Sequence, residues 1–186
     1  AFMKQLSARL ECAVLGGLPA ATATGQENRC YLVTSETVSH YAKLKAFKYA
    51  GEHEKYEQGS ARCRWDVAGF RLSPFICYDL RFPELPRPMV PETDLFTYVA
   101  CWPSARVYHW RSLLIARAIE NQAFVIGCNR VGHDGAGLDY PGASMVVGPK
   151  GEILLEAGER EGLYEAEIDP ATVAETRSAF PFLKDI

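Results

Sequence analysis

Apolar positions in the chain follow two spacings. Phe2, Met3, Leu6 and Leu10 recur at helical intervals between Lys4, Gln5 and Arg9, which predicts an amphipathic helix over residues 2–10. Short apolar runs at 13–18, 29–35 and 37–43 read as strands, with a loop at 19–27 and a tight connection at Ser35-Glu36. Residues 44–59 are charged, glycine-punctuated and without a clean period; a long irregular segment of this kind is often functional, although composition alone favours a solvated loop. Strands at 61–67 and 70–77 turn near Ala68-Gly69, and Pro74 is expected at a bulge, edge or strand end because it lacks an N–H.

Residues 82–90 are proline-rich and make at most a broken helix. A strand at 94–101 is halted by Trp102-Pro103, and Ser104 is placed to cap a strongly apolar helix over 105–122. A strand at 123–129, a glycine-rich loop at 132–142, a hairpin of 143–147 with 152–156, and a strand at 163–168 follow. Asp169-Pro170 opens a last helix, 171–179. Strand–helix–strand order over 94–129, combined with hairpins, implies a mixed sheet under helices, an α/β or α+β layered sandwich. Neither an internal repeat nor a linker divides residues 1–186, so a single domain is expected.

Composition narrows the function. A formal net charge of -3 gives no electrostatic case for nucleic acid or an anionic membrane, and no apolar stretch approaches the ~20 residues of a membrane span. The six cysteines lie apart and form no C-x-x-C pair, so no metal site is expected. Their even number, without a secretion signal, favours reduced thiols in a cytoplasm. Ala1 already stands in a helix-like run, so further residues are expected ahead of it.

The densest chemistry lies at Cys77, where an apolar run meets Tyr78, Asp79, Arg81, Phe82, Pro83 and Glu84. A nucleophile at a strand end is rigid yet open to a cleft. The residues alone favour a buried cysteine before a solvated turn. A cysteine nucleophile needs a base or a cation. His40, His53, His109 and His133 are not singled out by spacing, whereas Lys43 leads into a loop carrying Glu52 and Glu54.

CYDLRFPE at 77–84 resembles the nucleophile motif of the nitrilase, or carbon–nitrogen hydrolase, superfamily. YAKLKAF at 41–47 resembles its lysine motif, and AGEHEKYEQG at 50–59 the loop after it. YVACWP at 98–103, HWRSLLIARAIENQAFVIGCNRVG at 109–132 and the ending FPFLKDI are similar to its omega-amidase-like branch. The resemblance implies a four-layer αββα sandwich lacking its first strand and helix in this chain, and assembly as a homodimer. It implies a Glu-Lys-Cys triad with Cys77 as nucleophile and Lys43 as lysine; the first glutamate would lie ahead of Ala1. By the same resemblance Glu52 would be the second glutamate, with Glu54 as the alternative. Trp102 would form a substrate wall, with Tyr78 and Arg81 beside the nucleophile. Arg81 would pair a substrate carboxylate or, equally, Asp79 or Glu120. The implied reaction splits a small carboxylate-bearing ω-amide through a cysteine thioester and releases ammonia, without cofactor or metal. An activated Cys77 would be alkylated before the other five cysteines. Two alternatives stand beside it: a binding or scaffold protein of the same fold, and a thiol redox protein.

Overall fold

In the computed structural model, which describes residues 1–185, the opening helical stripe becomes α1 (Phe2–Leu10), and Ile186, last residue of the FPFLKDI ending, lies outside the described residues. Three antiparallel strands follow: β1 (Val14–Ala21), β2 (Gln26–Val33) and β3 (Val38–Ala42), in the order β1-β2-β3. The loop predicted at 19–27 shrinks to a turn. Strand pairing runs from Val14↔Val33 to Ala21↔Gln26, through Pro19, and the ladder satisfies backbone groups that a loop would leave to water.

The irregular segment 44–59 holds a single 3-10 turn, Lys48–Ala50, and the short helix α2 (Glu52–Lys55). It is followed by β4 (Trp65–Val67), β5 (Phe70–Ile76), β6 (Leu95–Ala100), α3 (Val107–Asn121) and β7 (Phe124–Asn129). A small hairpin, β8 (Val131–His133) with β9 (Asp139–Pro141), occupies the region read as a glycine-rich loop. The chain then forms β10 (Met145–Val147), β11 (Ile153–Glu156) and α4 (Ala171–Ala179). Six strands make the second sheet in the order β11-β10-β7-β6-β5-β4, with β5, β6 and β7 parallel.

α1 packs on β1 and β2, β1 and β2 face β6 and β5, and α3 covers β7 and β10. That is the expected four-layer αββα order. Phe75, Phe96, Tyr98, Trp110, Leu114 and Val125 belong to one buried cluster, a continuous apolar seam that the hydrophobic effect holds together. α4 sits at the opposite end from Cys77: Arg177 donates to the carbonyls of Thr93, Asn121 and Gln122, just ahead of β6 and β7. The carboxyl ends of the parallel strands remain open, which is where sites form in open α/β sheets.

Three local expectations are corrected. Pro74 lies inside β5, opposite Thr97; it is tolerated because β4 pairs β5 only over Phe70–Leu72, leaving that flank edge-like beyond. Ser104 does not cap α3, since a 3-10 turn, Ser104–Arg106, intervenes before Val107; its hydroxyl donates to Asp139 instead. Residues 163–168 form no strand, and Leu163 is 88% exposed: alternation alone makes no strand where no neighbour supplies a ladder.

Gly127 explains how closely α3 approaches. A Cβ there would lie 2.5 Å from Leu114 Cδ1 and 2.6 Å from Trp110 Cζ2. Gly127→Ala is therefore expected to cost about 1–3 kcal/mol by overpacking, read as a lowered urea midpoint with an unchanged slope.

Candidate active site

The buried run of β5 ends in a sharp bend. Cys77 adopts φ 46°, a left-handed conformation that costs a non-glycine residue energy and is kept only where the surroundings enforce it. Asp79 does the enforcing. Wholly buried, its carboxylate accepts from the Ile76 N–H (3.0 Å), the Lys45 N–H (2.8 Å) and the Tyr41 hydroxyl (2.8 Å). Burial raises its pKa to about 6, against the pull of those donors.

Lys43 follows β3 directly. Its N–H donates to Asn28 and its carbonyl accepts from Gly59, so both ends of the irregular loop are pinned at the lysine. A side chain at Gly59 would collide with the Ala42 carbonyl, which accounts for the glycine there. Lys43 is 5% exposed, and its ammonium lies 2.5 Å from Glu52 Oε2. Glu52 also accepts from the Phe47 N–H at 2.5 Å and the Asn28 amide at 3.0 Å. Burial alone would raise the Glu52 carboxyl, but Lys43 and these donors outweigh it and hold it below the usual range. Glu54 is exposed, so the loop register sets Glu52, not Glu54, against Lys43.

Cys77, Lys43, Glu52 and Asn28 line one cavity of about 410 Å³, walled by Phe47, Tyr56 and Val99. A smaller recess of about 40 Å³ adjoins it, bounded by Tyr78, Arg81, Trp102 and Arg106; Phe47, Cys77 and Cys101 border both. Trp102 is buried and donates from Nε1 to the Arg106 carbonyl at 2.8 Å. Tyr78 packs on Phe47 and Phe82 at 4.9 and 5.1 Å between ring centroids. Among the described residues, no cluster of three or more metal-ligating side chains occurs.

Comparison with known proteins shows the family. The carbon-nitrogen hydrolase family profile matches residues 1–178. The chain belongs to the carbon–nitrogen hydrolase family. This hydrolase is 44% identical to "Omega-amidase YafV" of Escherichia coli K12 over 174 residues, which is 92% of the chain and 68% of that protein. It is 38% identical to "2-oxoglutaramate amidase" of Bacillus subtilis over 162 residues, or 86% of the chain and 62% of that protein. The crystal structure of XC1258 from Xanthomonas campestris, a CN-hydrolase superfamily protein, superposes with TM-score 0.95 at 38% identity, covering 100% of the chain and 73% of its own. The hydrolase is thus a nitrilase-superfamily enzyme. No helix among the described residues is long and apolar enough to cross a membrane.

Two expectations about the hydrolase's side chains change. Arg81 pairs neither Asp79 nor Glu120: Asp79 is taken by Tyr41 and backbone donors, and Glu120 by Arg117 and Arg87. Instead Arg81 lies 4.8 Å over the Trp102 ring and meets His109 Nδ1 at 3.2 Å. Cys77 is not a ready thiolate either. Burial pushes its thiol up to about 11, and the Lys43 charge only partly offsets this, because Glu52 already neutralises that lysine. Asn28, Tyr41, Phe47 and Arg106 were missed from sequence. An asparagine beside a predicted strand was the one available signal for Asn28, and the others joined the site only through folding.

Two measurements follow from these ionisations. Iodoacetamide at neutral pH is expected to label the exposed Cys12 and Cys101 before Cys77, whose rate should climb about tenfold per pH unit from 7 to 9; peptide mass mapping reads this directly. For Asp79, folding raises the pKa, so the folded chain holds a proton that the unfolded chain releases between about pH 4 and 6, and stability falls as pH rises through that window. Asp79→Asn should cost about 1–3 kcal/mol near pH 4 by leaving a donor unmatched. The gap to wild type should narrow toward pH 6 in urea titrations.

Proposed function

We propose that this hydrolase cleaves the terminal amide of a small linear ω-amide bearing a free carboxylate, through a thioester on Cys77. The observation that carries the reading is one cavity holding a strand-end cysteine beside the buried Lys43–Glu52 pair. The names of the omega-amidase and 2-oxoglutaramate amidase relatives support the substrate class. The Cys77 sulfur attacks the amide carbon, and the carbonyl oxygen becomes an oxyanion beside the Lys43 ammonium and the Tyr78 backbone N–H. Collapse of this intermediate breaks the C–N bond. The thiol proton leaves with nitrogen as ammonia, and the acyl group stays on sulfur. Water then attacks the thioester, releasing the carboxylic acid and restoring the thiol.

In this reading Glu52 keeps Lys43 charged and aimed. A dry, preorganised cation at a developing oxyanion commonly supplies the largest share of rate enhancement. Tyr78, Arg81 and Trp102 shape the acid end of the substrate site. No cofactor or metal takes part, and the protein is read as a cytoplasmic homodimer.

Ammonia release from succinamate tests the proposal. Wild type should turn it over, and Cys77→Ala should abolish release while keeping the native circular dichroism spectrum. Lys43→Met is expected to lower kcat about 100- to 1000-fold. Glu52→Gln should lower kcat in the same direction by freeing the lysine. Undiminished ammonia release from Cys77→Ala would exclude the thioester route.

A further inference from the structure

Among the charged groups around Cys77, Arg106 has no task within the fold. Most arginines of the chain are committed: Arg29, Arg64, Arg71, Arg87, Arg111 and Arg117 to carboxylates, and Arg62, Arg130 and Arg177 to backbone carbonyls. The Arg106 guanidinium makes no ion pair or side-chain hydrogen bond among the described residues, and rests 5.7 Å over the Phe47 ring at the small recess. Its backbone, in contrast, is fixed at both ends. The N–H donates to the Pro103 carbonyl at 3.0 Å, and the carbonyl accepts from Trp102 Nε1 at 2.8 Å.

We infer that Arg106 is the specificity-determining residue of the site and receives the free carboxylate of the substrate in this recess; the inference rests on the amidase reading above. Size supports it. About 40 Å³ of space is room for roughly three waters at ~10–15 Å³ each, which suits the three heavy atoms of a carboxylate. Chemistry supports it too: a guanidinium with all five N–H groups open matches a carboxylate in a two-pronged fork. Arg81, turned toward His109 and stacked on Trp102, has fewer free donors and adds charge rather than the fork.

Position gives the recognition direction. Cys77 borders both spaces, so a substrate held by its acid end in the recess lays its amide over the sulfur. Its carbonyl oxygen then lies beside Lys43, and the larger cavity leaves room for the departing nitrogen. A neutral amide of the same length gains nothing from Arg106. Phe47 joins the two functions, since its ring carries Arg106 while its N–H holds Glu52.

The test compares wild type, Arg106→Gln and Arg106→Lys with succinamate and with butyramide, its counterpart without the carboxylate. Arg106→Gln should raise KM for succinamate roughly 30-fold or more and leave kcat/KM for butyramide unchanged, with Arg106→Lys in between. Equal losses on both amides would overturn the inference, since they indicate a structural role. Calorimetric titration with succinate provides a readout independent of turnover. Wild type should bind succinate and Arg106→Gln should bind it at least about tenfold more weakly. Equal succinate affinity in the two proteins overturns the role of Arg106 even if amides are hydrolysed. Arg106-dependent succinate binding without turnover of any amide by wild type would uphold the carboxylate site and overturn the amidase reading instead.

Discussion

Asp79 accepts hydrogen bonds from three elements that are distant in the chain: Tyr41 on β3, the backbone of Lys45 at the mouth of the irregular loop, and Ile76 at the end of β5. A buried carboxylate is costly unless its lone pairs are taken up. Those three donors meet that demand only when the small sheet, the loop and the large sheet are all in place. The same contacts hold Cys77 in its left-handed bend and set the loop that carries Glu52. Lys43 lies between Tyr41 and Lys45, so the charge beside the sulfur is fixed as a by-product of satisfying one aspartate.

A second constraint follows from the ion pair. Glu52 is saturated by Lys43, Asn28 and Phe47, so the lysine is charged, immobile and largely neutralised from the side of the thiol. The resting sulfur therefore keeps its proton. In the proposed reaction the cation becomes effective only when negative charge appears on the substrate oxygen, which is the condition for favouring a transition state over the ground state. A protonated resting thiol is also a poor target for oxidants.

Much of this was readable in the sequence, and the reasons differ by residue. Cys77 and Lys43 stand at the ends of predicted strands, but it is the resemblance of CYDLRFPE and YAKLKAF to the family's motifs, not the strand ends, that marked them. Glu52 lay in a segment without period, so its register against Glu54 was open until the Phe47 N–H and Asn28 fixed it. The fold class followed from the strand–helix–strand order around α3. What failed shares a cause: strands 19–21 and 131–133 depend on a partner strand, and residues 163–168 have none among the described residues. Ser104 had the right chemistry for a cap, but the 3-10 turn Ser104–Arg106 sets it a turn ahead of α3 and its hydroxyl points to Asp139. Arg106 was invisible because its role depends on lacking a partner, and sequence shows residues but not vacancies around them.

The bend at Cys77 has a consequence for which side chains the position admits. At φ 46° a β-branched residue would crowd its own backbone, while an unbranched one fits at modest cost. Serine can replace the thiol there without moving the strand; threonine cannot. The backbone therefore sorts candidate nucleophiles by shape before reactivity is tested. Any change of chemistry at this elbow would have to come either through an unbranched side chain or through remaking the Asp79 anchor that sets the angle.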